Sequence, residues 1–259
     1  MPGAGDHADE VTLTEGVALV TGGGSGIGAA CARRLAADGY TVLVADLDGE
    51  RAAAVAADCG RGPAAAAAAV RADVSDEDSV DAMLAFAAGL GPLRAAVNCA
   101  AVPDNGGAIA DCAFADWRRV LSVNLDGVFL CLRAEIRAML ALGAGGSITS
   151  IGSVLGLRGH PAVPTYATAK HALIGLHRSA ARAYSADGIR VNLICPGYIR
   201  TPLLESRLDA DRLAALTAQH PIGRLGTAEE VAGLASWLAG PDAGFVAGAV
   251  YTVDGGFTA

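Results

Sequence analysis

Val17-Ala18-Leu19-Val20-Thr21-Gly22-Gly23-Gly24-Ser25-Gly26-Ile27-Gly28 decides how the chain is read. Val17 to Val20 form a short apolar run, as expected of a buried strand. The glycines behind it tolerate positive φ angles and let the backbone come close to a ligand. Residues 26–38 follow as an amphipathic helix, with Gly39 as its stop signal. A strand that passes through glycines into a helix N-terminus presents free N–H groups and the positive end of the helix dipole. A pyrophosphate suits that site. Glycine-rich loops are common, but this one lies between the first strand and the first helix, which makes the signal specific. No Gly-Lys-Ser/Thr follows, so a Walker A loop is excluded.

The pattern continues outward. Apolar strands are predicted over 17–20, 41–45, 67–72, 95–98, 146–151, 190–195 and 250–253. Helices are predicted over 26–38, 50–59, 75–90, 114–142, 165–186, 203–219 and 228–238, with Ser75 as the cap of the third. The alanine run 64–69 favours helix locally, whereas the alternation requires a strand there. Strands alternating with helices predict an α/β fold: a single-domain, Rossmann-type, doubly wound parallel sheet of about seven strands with helices on both faces. The domain is expected over 15–259, behind a flexible tail at 1–14.

The 259 residues are 53% hydrophobic and 18% charged, enough to bury a large core. Aromatic residues make up only 5%, so the packing rests largely on alanine and aliphatic side chains. The net charge is -8 and the arginines are scattered, which argues against nucleic acid and against an anionic membrane surface as partner. The six cysteines form no C-x-x-C and lie at no zinc-ligand spacing. The N-terminus lacks the basic start and apolar run of a signal peptide. A cytoplasmic protein is expected. His160, His171 and His177 make no metal-ligand pattern, and no G-x-S-x-G elbow is present.

Asp46 ends the second strand about 20 residues beyond the glycines, where a carboxylate accepts hydrogen bonds from ribose hydroxyls and repels a 2′-phosphate. Asp48 adds negative charge and no arginine directly follows Asp46, so NAD is expected rather than NADP, with Arg51 the residue that could oppose this by folding back. The only lysine, Lys170, lies four residues after Tyr166, one helical turn away on the same face. An ammonium held beside a phenol favours the phenolate and lowers the phenol pKa.

Together these motifs resemble those of the short-chain dehydrogenase/reductase family, over about residues 17–257. The glycine spacing Thr21-Gly22-x-x-x-Gly26-x-Gly28, Asp73-Val74, Asn98-Cys99-Ala100-Ala101, Asn124, Ser153, Tyr166-x-x-x-Lys170, Pro196-Gly197 with Thr201, and Val253-Asp254-Gly255-Gly256 carry the resemblance. Ala101 departs from the family's usual glycine and should narrow the adenosine side. The resemblance implies a catalytic set of Asn124, Ser153, Tyr166 and Lys170. It implies a cofactor-binding set of Gly22, Gly24, Ser25, Gly26, Ile27, Gly28, Asp46, Leu47, Asp73, Val74, Asn98, Ala100, Tyr166, Lys170, Pro196, Gly197, Ile199 and Thr201. Tyr166 would be the acid or base, Ser153 would donate to the substrate oxygen, and Asn124 would hold a water that links Lys170 to solvent.

Ser153, Leu155, His160, Tyr198, Leu203 and Leu204 are the expected substrate residues, with no metal. Residues 201–219 are a candidate lid. The mainly apolar lining suggests a neutral or weakly polar secondary alcohol or ketone, with cyclic compounds among the candidates. Arg158 or Arg207 would hold a carboxylate if the substrate had one. The leading expectation is an NAD-dependent oxidoreductase that forms a homodimer or homotetramer. The alternatives are an NADPH-dependent 3-oxoacyl-carrier-protein-type reductase and a non-catalytic dinucleotide sensor.

Overall fold

The computed structural model describes residues 16–60, 66–201, 204 and 209–259. The expected tail at 1–14, Leu203 and Arg207 lie outside the described residues, as does most of the first half of the expected lid.

Seven parallel strands form one sheet: β1 (Val17–Thr21), β2 (Thr41–Asp46), β3 (Ala67–Arg71), β4 (Leu93–Asn98), β5 (Gly146–Ile151), β6 (Ile189–Pro196) and β7 (Val250–Val253). Their order is β3-β2-β1-β4-β5-β6-β7. The order reverses between β1 and β4, which opens a crevice at the carboxyl ends of those strands, where such sheets bind ligands. β1, β4, β5 and β6 are buried along their whole lengths, as expected of strands covered on both faces.

On one face lie α1 (Gly26–Ala37), α2 (Gly49–Cys59) and α8 (Ala228–Ala239). Their core includes Leu35, Val55, Val231 and Leu238 against Val20, Val42 and Val44. On the other face lie α3 (Glu77–Leu90), α5 (Val128–Leu142) and α6 (Pro164–Tyr184), which bury Met83, Met139 and Ala180 against Leu19, Leu43 and Ile148. Each buried Val, Leu, Ile or Met side chain contributes about 1.5–3 kcal/mol. α4 (Phe114–Leu121) precedes α5, and α7 (Ala210–Ala218) lies between β6 and α8. Among the described residues no helix is long and apolar enough to cross a membrane.

Three local expectations need correction. The alanine run does end in a strand, but β3 stops at Arg71, not Ala72. Pairing with β2 overrides the helix propensity of alanine, and the small side chains pack alternately on the two core faces. The cap of α3 is Asp76, which accepts the Asp78 amide at 3.1 Å. Ser75 is drawn instead to Asp73, donating its hydroxyl at 2.6 Å. The helix expected over 114–142 is broken by a π-helical turn, Ser122–Gly127. Such turns frequently mark functional sites. Gly127 permits this one to approach closely, since a Cβ there would lie 2.9 Å from Val74 Cγ2.

Candidate active site

The glycine loop runs from β1 into α1 with Gly22 at φ +62°. A side chain at Gly22 would press to 2.6 Å from the Ala100 amide nitrogen, and one at Gly28 to 2.1 Å from the Gly22 carbonyl oxygen. Both positions therefore require glycine. Ser25 caps α1 in an extended conformation, its hydroxyl making no capping bond, and no acidic side chain occupies the first turn. Asp46 takes the Gly24 amide, but no acidic side chain of the helix itself competes for the N–H groups of its first turn, which fits a dinucleotide pyrophosphate. Gly26 and Ile27 start the helix there, and Thr201 lies in van der Waals contact with the Gly26 position.

Asp46 is fixed at the edge of this cradle. Its carboxylate accepts the Gly24 amide at 2.9 Å and the Asp48 amide at 3.0 Å. Asp48 caps α2 and pairs with Arg51 at 3.0 Å. Leu47, beside Asp46, is 58% exposed. Asp73 accepts both the amide and hydroxyl of Ser75, and those bonds hold its carboxyl below the usual range. Val74 is buried against the π turn. Ala100 faces Gly22, whereas the side chain of Ala101 is exposed.

Asn98 turns inward. Its amide donates to Glu135 Oε2 at 2.9 Å, and its oxygen meets the Thr21 hydroxyl at 3.5 Å. Asn98 therefore braces β4 against β1 and α5. Nothing in the sequence pattern singles out Glu135, a fully buried acid in an apolar helix face whose Oε1 has no partner. Burial pushes its carboxyl up to about 7, opposed by the Asn98 bond.

Tyr166 and Lys170 lie one turn apart on α6, beside the short turn that follows Ser153. Lys170 is buried, its Nζ donates to the Ile151 carbonyl at 2.7 Å, and it sits 5.5 Å from the Tyr166 ring centroid. Two of its three N–H bonds are left for a ligand. The Ser153 oxygen accepts the Leu155 amide at 3.1 Å, which leaves its proton to point elsewhere.

The direction of the Tyr166 pKa differs from the sequence expectation. Burial pushes the phenol up to about 12, with the Ser153 hydroxyl opposing that rise, and burial pulls Lys170 down to about 8. Desolvation penalises either charge and here outweighs the proximity of the ammonium. Cys99 is also pushed up, to about 11, chiefly by burial, which disfavours its thiolate.

The Asn124 side chain is engaged by Val102. Its Oδ1 accepts the Val102 amide at 2.8 Å and its Nδ2 donates to the Val102 carbonyl at 2.8 Å. Those two bonds tie the π turn to the segment after β4. Asp104, in the same segment, is another functional candidate that sequence pattern does not reveal: Pro103-Asp104-Asn105-Gly106 reads only as a turn. Its carboxylate accepts the amides of Thr165 at 3.0 Å and of Tyr166 at 3.2 Å.

On the far side, Gly197 lies against Asp254 and His220, and Ile199 is buried beside Gly226. Pro196 ends β6. A cavity of about 340 Å³ is lined by Tyr198, Leu204, Arg212, Ala215 and Leu216. Tyr198 stacks edge-on against His220 and Phe257. Arg158 lies over the Phe257 ring, 5.0 Å from its centroid, and donates to the Phe257 carbonyl at 3.4 Å. His160 accepts the Ala162 amide at 3.2 Å through Nδ1.

This geometry defines an oxidoreductase of the nucleotide-binding α/β type. A family model described as enoyl-(acyl carrier protein) reductase matches residues 22–258. The chain is 42% identical over 244 residues to the 2,5-dichloro-2,5-cyclohexadiene-1,4-diol dehydrogenase of Sphingobium indicum, covering 93% of this chain and 96% of that one. It is 43% identical over 250 residues to the cis-4-hydroxycyclohexanecarboxylate dehydrogenase of Sinomonas cyclohexanicum, covering 95% and 98%. A crystal structure of a short-chain type dehydrogenase/reductase from Mycobacterium marinum superposes with a TM-score of 0.89 at 34% identity, covering 95% and 97%. The chain belongs to the short-chain dehydrogenase/reductase family. It is a dehydrogenase acting on CH–OH groups, and its cofactor is a nicotinamide dinucleotide.

Proposed function

We propose that the protein oxidises a ring-borne secondary alcohol, or reduces the matching ketone, with NAD(H). The observation that carries this reading is buried Lys170 with the partly exposed Tyr166 and Ser153 on the same sheet as a glycine cradle that ends at Asp46. NAD, when bound, supplies the hydride acceptor and a positive charge near the phenol. Gly22, Gly24, Ser25 and Gly28 shape the pyrophosphate seat, and Asp46 takes the ribose hydroxyls and excludes a 2′-phosphate. Lys170 offers its two remaining N–H bonds to the nicotinamide ribose. Tyr166 removes the alcohol proton in oxidation and returns it in reduction. The Ser153 hydroxyl, oriented by the Leu155 amide, donates to the substrate oxygen as charge builds there. Asn124 contributes through the loop it holds at Val102, so its part is the shape of the site.

The substrate reading rests on the mainly apolar cavity wall of Tyr198, Leu204, Ala215 and Leu216, with Arg212 at its side, and on two relatives named for cyclic substrates. Arg158 is engaged at Phe257, whereas Arg212 lines the cavity, so a carboxylate on the ring would meet Arg212 rather than Arg158. The fixed Asp46 counts against the NADPH-dependent carrier-protein reductase, and retention of Tyr166 and Lys170 counts against the sensor. The same reading takes the chain as one domain over 15–259, cytoplasmic, and a homodimer or homotetramer. The six free cysteines are consistent with a reducing compartment.

The test follows NADH formation with NAD and a panel of cyclic and open-chain secondary alcohols at mildly alkaline pH. Cyclic alcohols should turn over, and Tyr166→Phe should abolish turnover with NADH affinity nearly intact. Retained turnover in Tyr166→Phe removes the assigned role. NAD binding without turnover of any alcohol or ketone favours the sensor.

A further inference from the structure

We propose that Asp104 is a positioning residue for the reaction: it latches the first turn of the Tyr166 helix to the loop after β4. The inference rests on the reading of Tyr166 as the proton-transfer group and adds the residue that holds it in register.

The start of α6 has amides in need of partners. A helix leaves its first N–H groups without intrahelical partners. In α6, Pro164 has none to offer, and Ala167 already donates to the Val163 carbonyl at 3.1 Å. The open donors are the amides of Thr165 and Tyr166. Val163, at the N-cap position, provides no side-chain bond. Asp104 accepts both amides with Oδ2, from 61 and 62 residues away in sequence. Its Oδ1 accepts the Gly106 amide at 3.2 Å, which fixes the carboxylate plane. Asp104 is 9% exposed, so these bonds are shielded from water. A carboxylate at a helix N-terminus is also favoured by the helix dipole.

The other end of the latch is equally firm. Asn124 grips Val102 through both amide atoms. Arg119 donates to the Pro103 carbonyl at 2.9 Å, and Asp116 accepts the Asn105 side-chain amide at 2.7 Å. Gly107 donates to the Ala162 carbonyl at 2.8 Å, a second stitch between the same two segments. The loop is therefore a rigid strut between the π turn and the amide of Tyr166 itself. A misplacement of about 1 Å in a reacting group can cost on the order of 10²-fold in rate.

The test compares Asp104→Ala and Asp104→Asn with wild type, all as full chain. It reads kcat, KM for the alcohol, NADH affinity by fluorescence titration, and the thermal midpoint. Asp104→Ala should lose about 10- to 100-fold in kcat, with NADH affinity unchanged. Asp104→Asn keeps one acceptor oxygen and should recover part of the loss. An unchanged kcat in Asp104→Ala overturns the latch. So does a loss of kcat and NADH affinity together with a fall in thermal midpoint, because that pattern marks a merely structural residue. If Asp104→Ala does not fold, Asp104→Asn decides alone: lowered kcat at unchanged NADH affinity supports the latch, and wild-type kcat overturns it. Full activity in Tyr166→Phe would instead remove the reading of Tyr166, a separate failure.

Discussion

Asp46→Ala tests the cofactor assignment directly. The carboxylate is tied to the Gly24 and Asp48 amides at 2.9 and 3.0 Å, so it cannot swing away from an incoming phosphate without breaking two bonds. Two unit charges about 4 Å apart repel by ~1 kcal/mol in bulk water and ~4 kcal/mol at a surface dielectric of 20. Asp46 is half-buried. A middle value of ~2 kcal/mol corresponds to roughly 30-fold discrimination against a 2′-phosphate. Loss of the charged acceptor for the ribose hydroxyls should cost NAD a further ~1.5–3 kcal/mol. Asp46→Ala should therefore lower kcat/KM with NAD by about 10- to 100-fold and raise it with NADP by up to about 30-fold. Arg51 limits the gain, because its guanidinium is paired with Asp48 at 3.0 Å. Adding Asp48→Ala frees Arg51 and should increase NADP turnover again. Initial rates with a single alcohol and each dinucleotide give the ratio. If that ratio stays within about threefold of wild type in Asp46→Ala, the electrostatic reasoning fails.

Two further substitutions probe the frame of the site. Gly28→Ala places a Cβ 2.1 Å from the Gly22 carbonyl oxygen, a backbone atom that cannot yield, so NADH fluorescence titration should show loss of cofactor binding; wild-type affinity would contradict the cradle geometry. Glu135→Gln tests the buried acid. The folded protein holds that carboxyl at about 7, above the usual 4.5, so between those pH values the native state binds more protons than the unfolded chain. Stability should then fall as pH rises through this window, by about 3 kcal/mol in all. Thermal midpoints at pH 5 and pH 8 should differ more for wild type than for Glu135→Gln, and equal differences would argue against a protonated Glu135.

The sheet is legible in sequence because strands covered on both faces are rich in apolar residues, such as Leu19, Val97 and Ile148, although β5 also buries Ser147, Thr149 and Ser150. The residues around the reaction are legible for a different reason: only glycine fits at Gly22 and Gly28, and Lys170 stands alone in a chain otherwise supplied with arginine. What escapes the sequence is set by distant partners. The 114–142 segment has continuous helical character, and the π turn arises where Asn124 bonds to Val102 and Gly127 meets Val74. Ser75 and Asp76 are equally good caps locally, and the choice is made by Asp73. Asp104 looks like a turn residue until α6 is placed beside it. Glu135 looks like an error in an apolar face until Asn98 is seen against it.

Burial of the acid–base pair limits what the protein alone can do. Desolvation drives Tyr166 and Lys170 toward neutrality, the phenol up to about 12 and the ammonium down to about 8. Forming a phenolate at pH 7 from a pKa of about 12 requires ~7 kcal/mol. An ammonium roughly 5–6 Å away returns ~3 kcal/mol at a dielectric of 20. That leaves ~4 kcal/mol to be supplied by other charge or by hydrogen bonds to the forming anion. The Ser153 hydroxyl already holds the phenol down to about 12, so the cationic ring of an oxidised nicotinamide would be the natural source of the rest. On the proposed mechanism the tyrosine would stay protonated until cofactor is seated, which would couple alcohol deprotonation to the presence of a hydride acceptor. Above pH 8 the lysine contribution fades as it loses its own proton. Raising pH therefore helps the phenol and weakens its partner at once, so alcohol oxidation should gain less than tenfold per pH unit above that point.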